Sequence, residues 1–155
     1  MKISDFLNFK AVSADLQATD KKGVIKELLE LLYDAGAVKG NKEAILKALL
    51  EREALGSTGI GQNVGIPHTK AAYVKKLVAA FGVSKKGIDF ESLDGEPTHI
   101  FFLLLASEDS AGPHLKALSR ISRLLKDKYF RDSLMSAKDV KGILGIIEKE
   151  DEAKQ

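Results

Sequence analysis

The run from Ile100 to Ala106, Ile-Phe-Phe-Leu-Leu-Leu-Ala, is the stretch that most restricts how this chain can fold, because it is apolar on both of the faces a strand presents. A strand of that kind belongs in the middle of a sheet, with a layer of structure above it and another below. At seven residues the run is far short of the roughly 20 that a helix needs to cross a bilayer, so direct membrane insertion is not expected. Leu77 to Val83 is a second run of strand length, and Asp94-Gly95 supplies a turn between the two.

The covering layers come from helical periodicity. Thr19 or Asp20 can cap a helix in which Val24, Ile25, Leu28, Leu29, Leu31, Leu32 and Ala35 recur at helical spacing before Gly36 ends it. Asn41 can cap a second, with Ile45, Leu46, Leu49 and Leu50 as its stripe and Gly56 where a left-handed C-terminal residue is wanted. Pro113 suits the first turn of a third, whose expected stripe is Leu115, Leu118, Ile121, Leu124 and Leu125. A last helix is expected from about Ala137 to Ile147, with the polar end EKEDEAKQ frayed. Helices and strands interleave, so the expected fold class is α/β (α+β): one domain over residues 1–150 with a mixed central β-sheet flanked by α-helices on both faces, and a polar tail at 151–155.

Composition removes several functions. The 155 residues include no Cys, which rules out disulfides, thiolate metal sites and cysteine nucleophiles, and argues against an oxidising compartment. With 24 Lys plus Arg against 22 Asp plus Glu spread along the chain, and 6% aromatic residues, nucleic acid is a poor partner. The first ten residues lack the apolar core of a secretory signal, and a cytoplasmic protein is expected.

Chemistry must then come from three histidines, His68, His99 and His114. Pro67 disfavours helix just before His68 and fixes the local chain, so that imidazole stands at the end of a rigid loop. His114 falls in the first turn of the third helix, where unpaired N–H groups and the positive end of the dipole favour an anion. Arg52 lies in the last turn of the second helix, where position alone already suits a cation. One imidazole as nucleophile, a second imidazole at a helix N-terminus and a guanidinium can serve phosphoryl transfer, in which positioning and electrostatics do most of the catalysis. His99, at the start of the buried run, reads as a packed strand-end residue. The glycines of GSTGIGQNVGIPHTK are one residue off the dinucleotide fingerprint and follow a helix instead of a strand, so they read as turn residues.

Glu51-Arg52-Glu53, Ser57-Thr58-Gly59-Ile60-Gly61 and Ile66-Pro67-His68, followed by His114-Leu115-Lys116, Leu118, Ile121-Ser122, Leu125 and Phe130-Arg131, resemble the fructose/mannitol class of enzyme IIA domains of the phosphotransferase system. The resemblance spans nearly the whole chain. It implies a phosphocarrier, with a mixed sheet flanked by helices, in which His68 takes a phosphoryl group from the phosphohistidine of a small histidine-containing phosphocarrier protein. It also implies that His114 is the second active-site histidine and Arg52 a nearby cation binding the phosphoryl group, and no cofactor or metal is implied. Thr69-Lys70 departs from the small residue or arginine expected after the active histidine. Asp15-Leu16-Gln17-Ala18-Thr19 leading into Lys21-Lys22 resembles the stand-alone nitrogen-regulatory branch, whose members act on target proteins. The alternative is a sugar-specific enzyme IIA donating to a separate enzyme IIB. Outside the family, two readings compete: a metal hydrolase with His68, His99 and His114 as zinc ligands, and an interaction domain no longer phosphorylated.

Overall fold

The computed structural model describes all 155 residues. A single 3-10 turn, Ile3–Asp5, leads into β1 (Leu7–Ser13), followed by α1 (Lys21–Asp34), α2 (Lys42–Leu55), β2 (Gly59–Gly61), β3 (Val64–Gly65), β4 (His68–Lys70), β5 (Val78–Ile88), β6 (Thr98–Ala106), α3 (Ala111–Leu124), α4 (Lys128–Ser136) and α5 (Val140–Ala153). The six strands form one sheet in the order β1-β5-β6-β3-β2, with β4 also on β6. β1 runs parallel to β5, β5 antiparallel to β6, and β3 and β4 parallel to β6, so the sheet is mixed as expected.

β6 is the central strand that its composition demands, and every residue from Ile100 to Ala106 is fully buried. Its alternation sorts the core into two layers. Ile100, Phe102 and Leu104 join α3, α4 and α5 in one apolar cluster, whereas Phe101, Leu103 and Leu105 join α1 and α2 in the other. Helices therefore cover both faces.

The helix caps follow the sequence closely. Asp20 accepts from the Gly23 N–H and Asn41 from the Ala44 N–H, each satisfying one of the donors left free at a helix start. Gly36 is left-handed at φ 71°, but Gly56 is extended (φ 159°, ψ 142°), because the chain turns directly into β2 there. Leu115 departs from its expected stripe: it is 66% exposed, and the buried face of α3 is carried by His114, Ala117, Arg120, Ile121 and Leu124. The expected loop at 56–70 contains three short strands, and β1 and α4 are further elements that periodicity did not separate. The polar end is folded. Asp151 is 1% exposed and accepts from the N–H groups of Ile3 (2.9 Å) and Ser4 (3.0 Å) and from Arg120 (3.1 Å), which carries α5 through the charged segment expected to fray.

Candidate functional site

Proline decides where the site lies. Val64↔Ile100 and His68↔Leu104 share one register along β6, so β3 and β4 are two pieces of one line interrupted at Ile66-Pro67. Pro67 has no N–H to donate, yet its carbonyl still accepts from Leu104 (2.9 Å). The Ile66 N–H turns away to the Thr58 carbonyl (3.0 Å), which anchors the glycine-rich segment against the break. The turn from β2 to β3 uses left-handed Gln62 and Asn63 (φ 57° and 69°), the geometry of a tight hairpin.

His68 opens β4 opposite Leu104 and so shares the face that looks toward α3, while Thr69, opposite Leu105, shares the face toward α1 and α2. β6 continues past Ala106 into the short connection that starts α3, and this delivers His114 onto the same side. The two rings meet edge to face with centroids 5.4 Å apart. The pair stands near the carboxyl end of β6, with His68 at the first position of β4.

The hydrogen bonds give the rings different states. Nδ1 of His68 lies 2.6 Å from the Ile66 carbonyl, and since a carbonyl only accepts, Nδ1 carries the proton and Nε2 keeps its lone pair. Burial pushes the His68 pKa down; the Ile66 hydrogen bond opposes this and the Arg52 charge adds to the lowering. His114 is 6% exposed, and its Nε2 is buried without a partner. Burial first, then the charges of His68 and Lys70, push His114 down from 6.5 to about 4. Both imidazoles are therefore neutral near pH 7. His114 can offer a phosphoryl oxygen a hydrogen bond but no positive charge.

Cations come from two elements. Arg52, half-buried at the end of α2, donates from Nη1 to the Gly56 carbonyl (2.9 Å), and its charge is felt at His68. Lys70, two residues along β4 from His68, shares the His68 face and is exposed. In the sequence Lys70 stands out only as a departure from the family pattern. The register of β4 against β6, which no local pattern reveals, gives it a place beside the two rings.

Glu53 is a second residue to which the sequence assigns no role. Although carboxylates are rarely buried unless paired, it is 7% exposed. It accepts from the N–H of Thr58 (3.1 Å) and from the Thr58 hydroxyl, and it pairs with Lys21 Nζ at 3.0 Å. Lys21 lies 4.8 Å over the ring of Phe90. These contacts tie α1, α2 and the start of β2 together around Arg52.

His99 stands apart. It is the second residue of β6, five before the partner of His68 and about 17 Å along the strand, and its Nδ1 lies 2.8 Å from the Ser84 carbonyl. The zinc reading fails on this geometry: His99 cannot meet the other two histidines, and nowhere do three His, Cys, Asp or Glu side chains group so as to hold a metal. No helix is long and apolar enough to cross a membrane.

The three-layer α/β domain thus sets an imidazole that follows a proline against a buried, neutral second imidazole. The family model described as phosphoenolpyruvate-dependent sugar phosphotransferase system, EIIA 2, matches residues 5–150. The chain is 40% identical over 151 residues to the fructose-specific EIIABC component of Bacillus subtilis, covering 97% of this chain but only 24% of that longer protein. It is 38% identical over 148 residues to the nitrogen regulatory protein of Bradyrhizobium diazoefficiens, covering 95% of each. The crystal structure of nitrogen regulatory protein IIA-Ntr from Neisseria meningitidis superposes with a TM-score of 0.85 at 32% identity, covering 94% of this chain and 98% of that one. The chain belongs to the EIIA 2 family of the phosphoenolpyruvate-dependent sugar phosphotransferase system, a family of phosphotransferase components that work through a phosphohistidine.

Proposed function

We propose that the phosphoryl group is carried on Nε2 of His68, taken from the phosphohistidine of a small histidine-containing phosphocarrier protein. The observation that carries this reading is the 2.6 Å contact of Nδ1 with the Ile66 carbonyl, which fixes the tautomer and leaves Nε2 as the nucleophile. Transfer breaks the donor's P–N bond as the P–Nε2 bond forms. The donor ring, protonated on its other nitrogen, leaves as neutral imidazole, the His68 proton stays on Nδ1 facing the Ile66 carbonyl, and the positive charge gained by the ring strengthens that hydrogen bond. No proton has to move.

The transition state spreads charge over the equatorial phosphoryl oxygens. Arg52 and Lys70 supply cations on two sides of His68, and the buried imidazole of His114 supplies a hydrogen bond from a group that reorganises little. Loss of any of the three should slow transfer without unfolding the chain.

Once His68 is phosphorylated, the nitrogen-regulatory role is the first reading, because the chain is 38% identical to the Bradyrhizobium regulator and superposes on the Neisseria IIA-Ntr structure with a TM-score of 0.85. Its targets would be proteins that distinguish phosphorylated from unphosphorylated His68. The second reading, favoured by the 40% identity to the A portion of the Bacillus EIIABC component, is sugar-specific: transfer onward to a separate enzyme IIB. Either role places the protein in the cytoplasm, where phosphoenolpyruvate is the phosphoryl source.

The test is reconstitution with phosphoenolpyruvate, enzyme I and the phosphocarrier. The expected product is an acid-labile, alkali-stable adduct that disappears in His68→Ala. Labelling that persists in that variant overturns the assignment.

A further inference from the structure

α3 contains no Asp or Glu between Ala111 and Leu124, yet it carries Lys116, Arg120 and Arg123. Their spacing of four and three residues sets the cations on one side of the helix. In a chain whose net formal charge is only +2, that is a marked local segregation. Along this side lies an open cavity of ≈ 530 Å³, lined by Lys2, Lys116, Ser119, Arg120, Arg123 and Gln155 among others.

Three of these cations lack a counter-charge. Lys2, Lys116 and Arg123 form none of the ion pairs in the molecule, within 4.0 Å of any carboxylate. The fourth is built in. Arg120 is 8% exposed, donates from Nη1 to the Lys154 carbonyl and from Nη2 to the carbonyl and carboxylate of Asp151 (3.1 Å each), and keeps a buried Nε–H with no acceptor. Asp151 is itself held by the N–H groups of Ile3 and Ser4, so the guanidinium stands at a fixed place. Like charges gathered in a concavity repel one another and draw in an anion, and the volume is that of a small-molecule site.

We propose that this cavity binds a small polyanion of the polyphosphate class, such as the di- or triphosphate group of a nucleotide. The inference is independent of the His68 reading, since it uses none of the residues around that ring. Arg120 and Arg123 provide planar donors suited to phosphate oxygens, Lys2 and Lys116 provide point charges at the rim, and Ser119 provides a hydroxyl.

Titration calorimetry with tripolyphosphate, at physiological salt and with the full chain, tests it. Saturable one-to-one binding is expected, tighter than for orthophosphate or sulfate, and weakened at least about tenfold in a Lys116→Glu, Arg123→Glu double variant. Both side chains are exposed and form no ion pair, so this variant is expected to keep its fold; if its circular dichroism is lost, Arg123→Gln alone carries the comparison. Amide shifts on adding tripolyphosphate should centre on Ser119, Arg120 and Arg123. The proposal is overturned by no saturable heat up to about 10 mM probe, by binding unchanged in the variant, or by shifts that centre on His68, His114 and Lys70. Binding of a single-stranded oligonucleotide that tripolyphosphate cannot displace would also overturn it, since that marks an extended nucleic-acid surface in place of a local anion site.

Discussion

His114 should make this protein acid-sensitive well above the pH at which carboxylates titrate. Its pKa is 6.5 when free and about 4 in the fold, so between those values the unfolded chain binds a proton that the folded chain refuses. Stability is then fully present above about pH 6.5 and is lost as pH falls toward 4. Integrating the linkage between pH 7 and pH 5 gives a loss of about 2 kcal/mol from this one ring. His68, whose pKa is also lowered, adds to the loss in the same direction. Urea denaturation at pH 7, 6 and 5 measures it. His114→Gln puts a neutral amide in nearly the same space, and its stability should vary less across that window by about the same 2 kcal/mol. Comparing the two proteins cancels the carboxylates, which they share. Equal losses in wild type and variant would refute the reasoning, as would a His114 ring resonance that titrates at the ordinary 6.5. Phosphorylation of His68 should move that resonance upward, because a dianion beside the ring favours its protonated form.

Other consequences are as specific. Arg52→Ala should slow phosphoryl transfer to His68 by about a hundredfold while leaving the circular dichroism spectrum unchanged; a rate close to wild type would show that the guanidinium serves only the Gly56 carbonyl. Asp151→Ala takes the carboxylate counter-charge from buried Arg120, which keeps only its two carbonyl acceptors, strands the N–H groups of Ile3 and Ser4, and should cost about 3–5 kcal/mol in urea denaturation; a negligible loss would mean that the terminal turn of α5 is dispensable. Glu53→Ala strands the Thr58 N–H and leaves Lys21 only its exposed partner Glu91, with an expected cost of about 1–3 kcal/mol and slower transfer through a looser Arg52. Unchanged stability would refute the coupling of α1, α2 and β2.

The layered architecture was legible because it rests on periodicity. A run buried on both faces had to be a central strand, and the stripes of α1 and α2, with Asp20, Asn41 and Gly36 at their ends, had to be helices. The short strands were not legible: β2, β3 and β4 span two or three residues each, too few for any period to register, and β6 alone supplies their partners. The charged end of α5 reads as solvated, and only the N–H groups of Ile3 and Ser4, nearly the whole chain away, make a buried Asp151 tolerable.

At the site, residue types and the proline before His68 were enough, together with the family motifs, to single out His68, His114 and Arg52. Sequence could not choose a ring nitrogen, because that depends on which carbonyl lies against Nδ1. Nor could it find Lys70 or Glu53: one owes its place to strand register and the other to packing between α1, α2 and β2. By itself the sequence determined the layers and marked the candidate groups, since side-chain chemistry and hydrophobic period are local properties. Only the tertiary structure decided their ionisation and aim, because burial, tautomer and distance belong to pairs of residues that the chain brings together from far apart.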